Sequence, residues 1–201
     1  MDKPFSPACE RNREPILSVL RDAFARSRRV LEIGSGTGQH AVHFGAHLPH
    51  LVWQTSDLPA NHPAIHAWLR DAALPNVLPP LALDAGSAAW PQAQFDAVFT
   101  ANTCHIMRWE EVRGMFAGIG RVLAPGGVLC IYGPFNEGGR FSSESNALFD
   151  ASLKETAPHM GIRDLEAVLV LAEQQGLALE ANHAMPANNR LLQWRRKVST
   201  D

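Results

Sequence analysis

The sequence predicts an α/β fold built on a doubly wound, mostly parallel sheet with one antiparallel strand at its edge. Three observations predict it. Residues 29–40 read in succession as a buried strand, a glycine turn and a helix start, which is the opening unit of such a sheet. Apolar strand-like runs then alternate with helical stripes through four further strands. Two strand-like runs around Pro186-Ala187-Asn188-Asn189 follow as a closing hairpin.

Each element has a local reason. Residues 1–9, with two prolines, read as an arm, and Glu10 to Arg26 carries a helical stripe through Ile16, Leu17, Leu20, Ala23 and Phe24, with Pro15 in its opening turns. Arg29 to Ile33 is the first strand, and Gln39 to about Leu48 the helix after the glycine turn. Leu51 to Asp57 is the second strand. Asn61 reads as the N-cap and Pro63 as an early residue of a helix running to about Ala73. Val77 to Leu83 is the third strand and Phe95 to Asn102 the fourth. A helix from Trp109 to Leu123 is broken by Ala124-Pro125-Gly126-Gly127, before a fifth strand over Val128 to Tyr132. The stretch 133–161 is long and polar but carries Phe135, Phe141 and Phe149, with a short helix from Ala147; such segments serve as lids or binding loops. Asp164 to Gln175 is a helix stopped at Gly176, and Leu177–Met185 with Leu191–Val198 forms the hairpin.

The composition narrows the function classes. With 201 residues and 46% hydrophobic content, the chain suits one domain, 1–201, with residues 1–27 as an N-terminal arm and helix and 133–161 as a lid. A net charge of −2 gives no footprint for a nucleic-acid backbone. Cys9, Cys104 and Cys130 are scattered with no C-x-x-C pair, which fits free thiols in a reducing compartment. The absence of an apolar leader or of a run of about 20 apolar residues makes cytoplasmic location, off the membrane, the expectation. Oligomeric state is left open.

In doubly wound sheets, ligands lie beyond the carboxyl ends of the strands, where strand order reverses. Here those ends carry a coherent set. Gly34, Gly36 and Gly38 close the first strand, Asp57 the second, Asp84 the third, Asn102 the fourth and Tyr132 the fifth. The glycines follow G-x-G-x-G rather than the dinucleotide pattern G-x-G-x-x-G, and Glu32 stands just upstream. A carboxylate there is a poor neighbour for a diphosphate and a good one for an ammonium or sulfonium. Asp57 comes 19 residues after Gly38, close to the ~20-residue offset at which an acidic side chain accepts two hydrogen bonds from a ribose diol. As single residues, Asp57 and Asp84 read equally well as turn or cap residues.

Four landmarks carry a resemblance to the class I S-adenosylmethionine (SAM) dependent methyltransferases. They are Glu32-Ile33-Gly34-Ser35-Gly36-Thr37-Gly38, the acidic strand ends, Phe95-Asp96-Ala97-Val98 and Leu123-Ala124-Pro125-Gly126-Gly127-Val128-Leu129. The resemblance implies a Rossmann-like, seven-stranded sheet and SAM as cofactor. It implies that Glu32, Gly34, Ser35, Gly36 and Gly38 hold the cofactor from the first strand. Asp57 with Leu58, Asp84 with Ala85, and Asn102 hold it from the next three. Arg11 and Asn12 of the N-terminal helix read either as folding over the cofactor or as a surface helix face. More narrowly, the stretches 10–17, 102–106, 132–136, 143–146 and 161–166 resemble the domain of unknown function 938 family, which is similar to those methyltransferases over nearly the whole chain.

Methyl transfer needs alignment, exclusion of water and, for some acceptors, a base. His105, just after the fourth strand, is the first candidate for a base or an acceptor-orienting group; the alternative is a histidine capping the next helix. Tyr132 and Asn136 are candidates for acceptor contacts. Thr103 follows Asn102, so the N-P-P-[YF] string of amino-group methyltransferases is absent, and aromatic residues near the lid suit a small-molecule acceptor. His43/His47 and His62/His66 have the i, i+4 spacing of zinc pairs but no third ligand, so no metal is expected. Two other functions compete with a small-molecule methyltransferase: a SAM-binding sensor or scaffold without catalysis, and a nicotinamide-dependent reductase.

Overall fold

A computed structural model describes residues 3–198; Met1 and Asp2 of the expected arm, and 199–201 of the expected domain, lie outside the described residues. Helix α1 (Pro7–Ala23) starts within the expected arm because Ser6 Oγ accepts from the Cys9 N–H at 3.3 Å and Pro7 needs no N–H partner. Pro15 therefore falls in the helix interior, where it removes one backbone hydrogen bond. Strand β1 (Arg29–Ile33), helix α2 (Gln39–His47), strand β2 (Val52–Asp57), helix α3 (His62–Ala72) and strand β3 (Val77–Ala82) follow, then β4 (Phe95–Ala101) and helix α4 (Trp109–Val122).

Strand β5 runs over Leu123–Gly133, five residues longer at its start than expected. Helix α4 passes straight into it, since Leu123 already pairs with Phe95 before the register shifts and resumes at Val128 opposite Ala97. Gly127 permits that kink: a Cβ there would sit 2.8 Å from Ala124 O and 2.9 Å from Asp96 O. Two elements had no expectation. Strand β6 (Phe135–Asn136) and strand β7 (Arg163–Asp164) form a parallel two-residue pair. Helix α5 (Glu144–Thr156) starts before Ala147 because Ser143 Oγ caps it, accepting from the Asn146 N–H at 3.1 Å. Helix α6 (Leu165–Gln174) and the hairpin β8 (Leu177–Met185) and β9 (Asn189–Arg196) complete the chain.

The sheet has seven strands in the order β3-β2-β1-β4-β5-β9-β8. Strands β1 to β5 are parallel, and the hairpin supplies the antiparallel pairing at the edge, with β9 inserted between β5 and β8. Alternate residues serve opposite faces. On one face Val30, Phe99, Cys130 and Leu191 pack with Ile16 and Leu20 of α1 and Phe44 of α2. On the other, Leu31, Val98, Ile131 and Trp194 pack with Phe116 of α4 and Val168 of α6. The chain winds outward from β1 to β3, then returns to the centre and winds the other way through β4 and β5. The reversal therefore lies between β1 and β4, and the fold is that of class I methyltransferases. Among the described residues, no helix is long and apolar enough to cross a membrane.

Candidate functional site

A cavity of about 1200 Å³ opens above the carboxyl ends of β1, β2, β4 and β5, at that reversal. It is lined from the first strand end by Gly34, Ser35 and Gly36, from the second by Asp57 and Leu58, and from beyond β3 by Asp84 and Ala85. Asn102 and Thr103 contribute from β4, Tyr132 from β5, and Arg11 with Asn12 from α1. The structure thus brings together most of the residues the sequence proposes for the cofactor.

The loop after β1 is held by protein groups of its own. The Gly36 N–H donates to Asp57 Oδ2 at 2.7 Å, while Asp57 Oδ1 accepts from the Leu58 N–H (2.7 Å) and from Asn61 Nδ2 (2.8 Å). Asn61 is thus not the side-chain cap of α3: its amide is turned into the site, and it makes no cap bond. Oδ2 keeps an acceptor lone pair for a ligand hydroxyl. Gly36 sits at φ +57°, and a Cβ on it would meet nothing within 4 Å, so its backbone lies bare to the cavity. Asp84 serves its turn as well as the cavity, accepting from the Gly86 N–H at 3.0 Å.

Two residues proposed for direct cofactor contact do not line the cavity. Glu32 lies beneath the loop, where its Oε2 accepts from Ser35 Oγ (2.8 Å) and Trp53 Nε1 (3.1 Å). Burial, with Asp57 adding repulsion against those two donors, raises its pKa to about 7. Gly38 caps α2 at φ +89° and approaches α3 closely, since its Cβ would lie 3.1 Å from Ile65 Cα.

On the other side of the cavity, His105 is buried, with its ring edge-on to Phe149 of α5 at 5.3 Å between centroids. Burial first, then the Arg163 cation, lowers its pKa to about 4, so the imidazole is neutral at pH 7. Burial raises the Tyr132 hydroxyl while the adjacent Asn12 amide pulls it back. Asn136 does not reach the cavity. It sits in β6 opposite Asp164, its Oδ1 buried without a partner, so the acceptor role proposed for it has no geometric support.

Several residues escaped the sequence reading. Thr103 Oγ1 donates to Thr100 Oγ1 (2.8 Å), whose own proton goes to Ile33 O (2.8 Å), tying the loop after β4 to the end of β1. His40, lowered to about 4 chiefly by burial, donates from Nε2 to Asn12 Oδ1 at 2.7 Å and so fixes α1 over the site. Ile106, 44% exposed, lines the cavity as the already proposed Leu58 does at 48%, and together they offer an apolar surface that suits the face of a planar ring. Only His40, adjoining the glycine string, had a signal to follow. The histidine pairs point elsewhere: His47 Nδ1 donates to His43 O (2.8 Å) and His62 Nε2 to Asp57 O (3.0 Å). Cys104 is buried and raised to about 12, which leaves it a thiol rather than a nucleophile beside His105.

Comparison with solved structures supports the same fold. An O-methyltransferase family protein from Burkholderia thailandensis superposes with a TM-score of 0.84 at 21% identity, over 96% of this chain and 58% of that one. The SAM-dependent methyltransferase SibL gives 0.81 at 20%, over 95% and 56%. Human N-acetylserotonin methyltransferase, solved with SAM, gives 0.78 at 14%, over 95% and 53%. The chain thus spans little more than half the length of these proteins, and at such identities they share its fold. A family model described as "Protein of unknown function (DUF938)" matches residues 3–196, almost the full described length, and the chain belongs to that family.

Proposed function

We propose that this protein is a SAM-dependent methyltransferase acting on a small-molecule acceptor. The observation that carries the reading is the cavity at the sheet reversal, where a bare glycine turn and two carboxylates from neighbouring strand ends face one space. That set fits SAM: Asp57 Oδ2 suits a ribose diol, Asp84 an adenine amine, and Leu58 and Ile106 the faces of a purine. Gly34, Ser35 and Asn102 would hold the amino-acid end, with Glu32 below supplying negative charge when ionised. SAM supplies, when bound, a methyl group already activated on a sulfonium. The solved structures of like fold, named as SAM-dependent or O-methyltransferases, add support.

The volume, about 1200 Å³, exceeds the ~300–1000 Å³ of a site for one small ligand, which leaves room for an acceptor beside the cofactor. His105 and Tyr132 line that space. A neutral imidazole with a pKa near 4 is a weak base, so the task of His105 is to accept a hydrogen bond and align the acceptor rather than to deprotonate it in advance. Phe149 and the hairpin turn at Pro186 and Ala187 border the same space and would help exclude water.

Titration calorimetry with SAM and with S-adenosylhomocysteine tests the reading. Saturable heat is expected, and no heat with no thermal shift at millimolar ligand would end it. Radiolabel transfer from SAM to a small-molecule extract fraction is expected next; tight binding with no transfer would instead identify a SAM sensor without catalysis.

A further inference from the structure

The stretch Gly161-Ile162-Arg163-Asp164, which carries part of the family resemblance, has no place in the cofactor site. Arg163 lies about 60 residues beyond the loop that follows β4, yet it is folded onto that loop. Its Nε donates to Cys104 O at 3.0 Å, and its Nη2 to Met107 O at 2.5 Å and to His159 O at 2.9 Å. The neighbouring Gly161 N–H donates to His105 O at 2.9 Å. Three carbonyls of the loop, at 104, 105 and 107, are thus held by one strap. No carboxylate within salt-bridge distance competes for the guanidinium among the described residues. A planar fork with several N–H donors can bridge separated carbonyls, which an ammonium cannot do in the same geometry.

The strap is in turn fastened to α5. Asp150, 4% exposed, accepts the Ile162 N–H on Oδ1 at 2.8 Å and pairs with Lys154 through Oδ2 at 2.6 Å. One turn earlier, Asn146 Nδ2 donates to Ser142 Oγ (2.8 Å) and to Asn188 O in the hairpin turn (3.2 Å). The helix that carries Phe149 against His105 is therefore docked through its first turn and its middle, and residues 144–156 of the stretch expected as a lid form a seated helix.

From this geometry we infer that Arg163 is a positioning residue for the acceptor side of the cavity: it clamps the 103–107 loop, and with it His105, in place beneath α5. The functional meaning of the clamp rests on the methyltransferase reading, but the clamp itself can be read without an acceptor. The test compares Arg163→Gln and Arg163→Lys with the wild type by three measurements: amide exchange of Ile106 and Met107, the NMR titration of the His105 ring (assigned with His105→Gln), and calorimetry with S-adenosylhomocysteine.

Both variants are expected to speed exchange of the Ile106 and Met107 amides by about tenfold or more, because both lose the fork. The titration separates charge from geometry. In Arg163→Gln, the His105 midpoint rises from about 4 toward 6.5 without reaching it, since burial is its larger cause; in Arg163→Lys it stays low. Affinity for S-adenosylhomocysteine stays within about threefold in both, because the glycine loop and Asp57 sit on other elements. Unchanged exchange in a folded Arg163→Gln, or in Arg163→Lys should the first variant not fold, overturns the clamp. So does a more than tenfold loss of S-adenosylhomocysteine affinity, which would place Arg163 on the cofactor side. If wild-type protein gives no heat with S-adenosylhomocysteine, the methyltransferase reading fails, while exchange and titration still decide the clamp.

Discussion

Asp57 uses both carboxylate oxygens within the protein, holding Gly36 through one and Leu58 and Asn61 through the other. Replacing it by alanine removes the proposed diol acceptor and frees the glycine turn. Asp57→Ala is expected to weaken S-adenosylhomocysteine binding by about 1–3 kcal/mol, the range for a lost charge-assisted hydrogen bond. Calorimetry checks this, and wild-type affinity would contradict the placement. Glu32 gives a second expectation. Its folded pKa is raised from 4.5 to about 7, so the folded state holds a proton that the unfolded chain releases. Stability from this group is present in acid and is lost as pH rises from 4.5 through 7, by roughly 3 kcal/mol. Glu32→Gln keeps the acceptor oxygen and cannot ionise. The difference in unfolding free energy, variant minus wild type, is therefore expected to grow across that window and to level off above it. Taking the difference matters because His40 and His105, both lowered to about 4, add the opposite slope as pH falls below 6.5. A difference that is flat from pH 4.5 to 8 would refute the assignment.

Elements differ in how local their causes are. The kink in β5 depends on one position. Gly127→Ala would press a methyl onto two backbone oxygens that cannot move independently of the strand, so a loss of at least about 1–3 kcal/mol is expected in denaturant melts. The same contrast explains what was legible beforehand. Residues 29–40 declare strand, turn and helix within a dozen positions, and the hairpin declares its turn at Pro186–Asn189. Helix α1 starts ahead of its expected position because a proline beside a serine marks an arm and an N-cap equally well. The β6–β7 pair is too short to carry any periodicity. Asn136 has the place after β5 of a site residue, but its strand pairs it with Asp164 and leaves it outside the cavity lining. Arg163 was hidden for a different reason: its partners are main-chain carbonyls, which every residue has and no residue type announces.

At the scale of the whole molecule, a ligand that binds only the folded chain stabilises all of it. At a hundredfold excess over its dissociation constant, S-adenosylhomocysteine is expected to add about 2.7 kcal/mol, or roughly 5–10 °C in melting temperature for a domain of this size. Differential scanning fluorimetry over a ligand series reads that slope, and NAD in its place is expected to produce none. The strand order carries a consequence for biosynthesis. Strand β9 neighbours β5 in the sheet but is made only after α5 and α6. On the ribosome, the outer rim of β5 therefore stays unpaired, and Leu129 and Ile131 lack their cover from Trp194 and Leu192, until the hairpin emerges. A nascent chain stalled before Asn189 is thus the species most exposed to aberrant pairing with a neighbour and most in need of a chaperone.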